Sequence, residues 1–170
     1  MKAFTNPSST PVVGPRDLKI RRPSVDQVGA VVALFEGQLC EHGIRAELPA
    51  LRAAVMAVVG DPRHGFVLVA QLSCGAMVGV AYASALLSLE HAGVSGWLEE
   101  LYVLPPWRGQ GVGSRLLGAV IDEAASLGWR ALDLEVEAAH RRAEALYLRH
   151  AFRPHARRRF WRPLNEGSSH

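Results

Sequence analysis

Lysine is almost missing from this chain of 170 residues: Lys2 and Lys19 are the only two among 19 basic residues, the rest being arginine. Charge of one sign is scarce as well. The formal balance is +3, too small for a surface built to hold nucleic acid. Cysteine is limited to Cys40 and Cys74, whose separation fits neither a metal-ligand pair nor a redox pair. Reduced, buried thiols and a cytoplasmic setting are therefore expected, with no metal site. No apolar h-region opens the N-terminus, so no secretory signal is read there. One long stretch, residues 65–89, has no formally charged residue. Gln71, Ser73, Cys74 and Gly75 divide it into two strand-like halves, so a buried β-hairpin is expected rather than a membrane span.

What is present is ordinary for a globular protein: 49% apolar and 21% charged, enough for one domain with a real core. Residues 1–16 carry Pro7, Pro11 and Pro15 without apolar periodicity and read as a mobile arm. A single domain is expected over 17–164, followed by a short tail over 165–170. A first strand over 17–22 leads through Ser24 and Gln27, a capping-box pair, into a helix ending near Glu41. A second helix is expected over 47–59, with Pro49 in its first turn. Strands over 66–72 and 76–84 form the hairpin. Further on, 131–136 alternates as a strand, 140–150 reads as a helix, and 152–163 as one or two short strands. The order β-α-α-β-β-β-α-β-α-β specifies a mixed sheet with helices on both faces, an α/β fold of the α+β mixed-sheet kind.

Residues 97–117, WLEELYVLPPWRGQGVGSRLL, carry the chemistry. An apolar strand over 97–104 stops at Pro105 and Pro106, which cannot donate ladder hydrogen bonds. Arg108-Gly109-Gln110-Gly111-Val112-Gly113 follows, and Ser114 leads into an amphipathic helix whose apolar residues recur through Leu127. A strand feeding a glycine-rich loop that opens a helix offers unpaired N–H groups and a positive dipole end to an anion. The glycine spacing is not that of a dinucleotide fingerprint, and no Gly-Lys-Ser/Thr follows as in a Walker loop.

The spacing Arg108-x-x-Gly111-x-Gly113 after Val-Leu-Pro resembles the acyl-CoA pyrophosphate loop of the GNAT superfamily of N-acyltransferases. A second run, His140 to Phe152, is similar to that family's N-x-x-A-x-x-L-Y-x-x-x-G-F pattern. Ala143, Leu146, Tyr147 and Phe152 agree with it, whereas His140 replaces Asn and Ala151 replaces Gly. The order of elements is also similar to the family's, whose central, mostly antiparallel sheet splays between the fourth and fifth strands.

The resemblance implies acetyl transfer from acetyl-CoA to a primary amine, without metal, and allows a homodimer. It places the CoA phosphates on Arg108, Gly109, Gln110, Gly111, Val112, Gly113 and Ser114, where glycines permit close backbone approach. The pantetheine arm is expected to add to the strand at Leu101, Tyr102 and Val103, with a Val103 N–H near the developing oxyanion. His140 then either caps its helix or touches the cofactor.

A base on the strand before the loop is expected nine residues ahead of Arg108, at Glu99. Burial in an apolar strand raises a carboxyl's pKa, which suits a base near neutral pH. The other reading is that Glu99 only pairs with an arginine or orients the substrate ammonium. Regular alternation would put Trp97, Glu99, Leu101 and Val103 on one face, and Leu98, Glu100, Tyr102 and Leu104 on the other; a bulge would bring Glu100 round. Tyr147 matches the family's acid for the departing thiolate, its bland alternative being a core aromatic. The arginines from Arg153 to Arg162 read as reaching the cofactor's 3′-phosphate, as accepting an acidic substrate, or as a solvated edge strand, the last being the preferred reading. Neither cysteine sits in a nucleophile's context, which favours direct attack within a ternary complex. A small-molecule amine, a peptide N-terminus or lysine, and a non-catalytic acyl-CoA sensor are the three readings to separate.

Overall fold

A computed structural model describes residues 17–157, 159–162 and 164. The arm expected over 1–16 and the tail over 165–170 lie outside the described residues. The chain runs β1 (Leu18–Arg21), α1 (Val28–Glu41), α2 (Leu48–Gly60), β2 (Gly65–Leu72), β3 (Met77–Ser88), β4 (Gly93–Val103), α3 (Val112–Ser126), β5 (Leu132–Leu134) and α4 (Arg141–Arg149). Short 3-10 turns precede α1, β2 and the glycine loop. The turn before α1 begins as the sequence implied, with Gln27 Oε1 accepting from the Ser24 N–H at 3.2 Å.

The five strands lie in sequence order. All pair antiparallel except β4 with β5, which run parallel over only three residue pairs, Gly96–Leu132 to Leu98–Leu134. Beyond Leu98 that ladder stops while β4 continues to Val103. The sheet therefore opens into a wedge between its fourth and fifth strands.

Alternation in β2 divides the interior. Phe66, Leu68, Ala70 and Leu72 pack toward α3, whereas Val67 and Val69 pack toward α1 and α2. Both faces of the strand are covered, which is why residues 66–70 form an unbroken apolar run. α3 closes the first core with Val112, Leu116, Leu117, Val120 and Ala124, all buried at helical spacing. α1 closes the second with Val28, Val31, Val32, Leu34 and Phe35.

The uncharged stretch is the hairpin of β2 and β3, and among the described residues no helix is long and apolar enough to cross a membrane. Three expectations need correction. No strand forms among the described residues beyond Phe152. β5 offers a ladder of only three residues, and an arginine-rich segment has no buried face to fix a register. Its arginines make ion pairs instead, Arg157 with Glu90 at 2.8 Å and Arg159 with Glu135 at 2.7 Å. Cys40 and Cys74 are exposed rather than buried, one near the end of α1 and the other in the β2–β3 turn. The third correction is the facing of β4, described next.

Candidate active site

The glycine loop joins the wedge to the start of α3. Gly109 and Gly111 have φ of +76° and +83°, a left-handed backbone that side-chain-bearing residues resist. A Cβ built on either would meet nothing within 4 Å, so the space above the loop is open. Gly111 is the N-cap of α3 and no side chain caps it. At this end the Arg115 N–H donates to the Gly111 carbonyl at 3.0 Å, the first i to i−4 bond of the helix. Among the described residues nothing accepts from the amides of Val112, Gly113 and Ser114, which leaves them for an external acceptor. Gln110 braces the loop by donating to the Pro106 carbonyl at 2.8 Å. Ser114 Oγ lies 2.8 Å from His150 Nε2, tying α3 to the end of α4.

Arg108 has a different set of partners from the phosphate contact expected of it. Its Nε donates to the Val103 carbonyl at 2.8 Å, and its terminal nitrogen donates to both Glu41 carboxylate oxygens at 2.8 and 2.7 Å. Its guanidinium lies 5.3 Å from the centre of the Tyr102 ring, whose hydroxyl also donates to Glu41 at 2.8 Å. The Arg108 hydrogen bond is the main reason that the Glu41 carboxyl is held below its ordinary range. Glu41 therefore connects the loop to α1, a role the sequence did not disclose.

Opposite β3, strand β4 contains one residue too many. Tyr82 pairs with Glu100 and Ala83 with Leu98, so Glu99 has no partner in the ladder. Because of this bulge, Leu98 joins Leu101 and Val103 against the α3 core, while Tyr102 packs in the other core. Glu99 and Glu100 consequently line the same cleft, on the α1–α2 side. Strict alternation had separated them. Ser84, across the strand pair, donates to Glu99 Oε1 at 3.0 Å and holds the bulge in place.

The two carboxylates differ. Glu99 is exposed and Glu100 half-buried. Burial first, then the neighbouring Glu99 charge, pushes the Glu100 pKa up, against an opposing hydrogen bond from Gln38. The Gln38 amide nitrogen donates to Glu100 Oε2, and its Oε1 is buried with no partner among the described residues. Gln38 is a polar residue on the buried face of α1, a signal that sequence reading passed over.

A raised pKa at Glu100 links stability to pH. The folded value lies above the ordinary 4.5, so this group's contribution is fully present below that value and is lost as pH rises through the folded pKa. Glu100→Gln is accordingly expected to raise the melting temperature at pH 7, with the gain disappearing toward pH 4. Thermal melts of both proteins across that range check it; a gain that persisted at pH 4 would remove the titration as its cause.

Tyr147 projects from α4 and is half-buried, its ring 5.8 Å from Phe152 in an edge-on contact. Burial and then the Glu100 charge push its pKa up, so the phenol keeps its proton. His140 occupies the N-cap of α4 without a side-chain capping bond, and its ring lies 6.0 Å from that of His42. Leu101 and Val103 lie past the end of the β4–β5 ladder, where no strand pairs with β4 on that side among the described residues. Backbone there suits addition of an extended amide chain.

An open loop at an uncapped helix start, beside a strand pair splayed at its end, is the architecture of acyl-CoA-dependent N-acyltransferases. A family model described as the acetyltransferase (GNAT) family matches residues 31–152. The chain belongs to that family and is an acetyl-CoA-dependent N-acetyltransferase. It is similar to an aminoalkylphosphonate N-acetyltransferase of Salmonella typhimurium, 32% identical over 137 residues, spanning 79% of this chain and 84% of the relative. Among solved structures, an integron cassette protein from a Cole Harbour salt-marsh metagenome superposes with a TM-score of 0.77 at 24% identity, over 89% of this chain and 92% of that one. An aminoglycoside N-acetyltransferase in complex with CoA superposes with a TM-score of 0.72 at 20% identity, over 87% and 95%. These two likenesses carry the fold.

Proposed function

We propose that the protein acetylates the primary amine of a small molecule by direct attack within a ternary complex. The observation that carries this reading is the bulge, which sets two carboxylates side by side in one cleft between the sheet and α1–α2. CoA is held, in this reading, by the amides of residues 109–114 and by backbone at Leu101, Tyr102 and Val103, with Arg108 and His140 at the margins. Bound acetyl-CoA supplies an activated acetyl thioester.

Glu99 takes the proton of the substrate ammonium; being exposed, it can pass that proton on to water. The freed amine nitrogen forms the C–N bond as the C–S bond breaks, and it releases its second proton to solvent as the amide forms. Tyr147 gives its phenolic proton to the departing sulfur and is reprotonated from solvent. An ordinary thiol has a pKa near 8.5 and a phenol near 10, and burial makes Tyr147 a weaker acid still. Its donation therefore depends on placement close to the sulfur. Glu100 is a second reading for the base, favoured by its raised pKa and its coupling to Tyr147.

Thiol release from acetyl-CoA over a panel of amines tests the proposal. Tyr147→Phe is expected to lower kcat about 100-fold, the lower end of general acid–base effects, because a thiolate leaves readily. An unchanged kcat would remove the acid role. Gly111→Val puts a β-branched side chain at a φ of +83° and into the open cradle, and is expected to weaken CoA binding at least tenfold by titration calorimetry. Unaltered affinity would end the phosphate-loop reading. Tight CoA binding without turnover on any amine would instead favour a sensor, and turnover confined to peptides or proteins would favour the peptide reading.

A further inference from the structure

The cleft that ends at Glu99 and Glu100 has a composition that selects among amines. Its volume is about 250 Å³, and it lies between α1, α2 and the sheet. Phe35 and Leu39 from α1, Leu51, Val55 and Val58 from α2, and Val67 from β2 form its walls. Tyr82 is the remaining large side chain, and the two glutamates are the only charged groups among the lining residues. No arginine, lysine or histidine is among them.

α2 shows the same bias. Over Leu48–Gly60 it carries one charged residue, Arg52, yet buries only Val55. Leu51, Val58 and Val59 are partly buried against the second core. A helix this apolar ordinarily inserts its stripe fully into a core. Here part of the stripe faces the cleft, so apolar area remains for a ligand to cover.

From this we infer that the acceptor is a monocationic primary amine on an apolar body, with no anionic group and no second charge. The inference rests on the proposal that the Glu99–Glu100 end receives the amine. The ammonium meets two carboxylates there, while the carbon skeleton is removed from water against the α1 and α2 side chains. At about 250 Å³ the cleft suits a small apolar skeleton. A phosphonate or carboxylate in the same place would be desolvated without a cation to pair with and would face two like charges. The similar Salmonella protein is named for an aminoalkylphosphonate, so the acceptor end is where the two would differ.

The test compares kcat/KM for 2-phenylethylamine, hexylamine, 2-aminoethylphosphonate and an aminoglycoside, together with a short peptide bearing a free N-terminus. The expected result is a preference of at least 100-fold for the two apolar amines over the other three. Equal or better turnover of the phosphonate, the aminoglycoside or the peptide would overturn the inference while leaving acetyl transfer intact. Absence of turnover on every amine would overturn the proposed function and the inference with it.

Ala54→Arg provides a second arm. Ala54 lines the cleft but is exposed on α2, so the variant is expected to fold with an unaltered melting temperature. Its guanidinium is expected to reduce kcat/KM for 2-phenylethylamine at least tenfold and to raise that for 2-aminoethylphosphonate. The same ratio of the two amines in variant and wild type would mean that the acceptor does not occupy this cleft.

Discussion

Glu99→Gln is expected to lower kcat roughly 100- to 10,000-fold, with the affinity for acetyl-CoA and the melting temperature unchanged. The side chain is exposed and makes its hydrogen bond to Ser84 at 3.0 Å, which an amide oxygen can also accept. Fold and cofactor site are therefore spared. What is lost is removal of the ammonium proton, and this gives the variant a recognisable pH dependence. As pH approaches the amine's own pKa, about 10.4 for a lysine-like amine, substrate arrives already deprotonated and the deficit shrinks. Steady-state thiol release from pH 6 to 10 measures both effects. Glu100→Gln is expected to cost less, because Glu100 is half-buried and held by Gln38, whereas Glu99 is open to the solvent that takes up its proton. If the larger loss, with the same recovery at high pH, fell on Glu100→Gln, the base would be Glu100.

Gly65→Ala is expected to be the most damaging single methyl in the chain. Gly65 opens β2 with a φ of +109°, and a Cβ there would lie 2.0 Å from the Ala83 carbonyl oxygen and 2.8 Å from the Ser84 Cα. Both obstacles are backbone of the neighbouring strand, paired with β2 on one side and β4 on the other, so neither can step aside alone. Strain at this φ and overlap with β3 together cost on the order of 2–6 kcal/mol. That is a large part of the 5–15 kcal/mol typical of a whole domain. Gly43→Ala is the control: its φ is +72°, but nothing lies within 4 Å of the added carbon, and about 1 kcal/mol is expected from strain alone. Urea unfolding midpoints separate the two. Similar losses at both positions would mean that β3 yields to the methyl after all.

The contrast between those glycines bears on what could be read before any coordinates. The loop was legible because its features are local: a proline stop, closely spaced glycines, and then a 3.6-residue period through Val112, Leu116, Leu117 and Val120. All four of those apolar residues are buried. The wedge was legible only through the family likeness, since a strand says nothing about where its neighbour ends. Facing in β4 was misread for a definite reason. Period-2 counting assumes one residue per ladder step, and it fails past any bulge. The signal was present in the spacing of Leu98 and Leu101, apolar residues three apart where an unbroken strand would have them two or four apart. The arginines after Phe152 resembled an edge strand because alternation is cheap to satisfy in a charged segment. Their partners, Glu90 and Glu135, are distant in sequence. The pairing of Glu41 with Arg108 was hidden likewise, since the two lie 67 residues apart.

The unpaired position in β4 has a consequence for how such a site can arise. Without residue 99, the strand reads Trp97, Leu98, Glu100, Leu101, Tyr102, Val103, and each of these already occupies the face that plain alternation would assign it. A chain one codon shorter at this point thus keeps its ladder with β3, both cores and the coupling of Glu100 to Tyr147. It gives up the Glu99 carboxylate, the hydrogen bond it accepts from Ser84 and the like charge that helps to raise the Glu100 pKa. In this architecture a carboxylate inserted between two ladder residues leaves the facing of its neighbours unchanged.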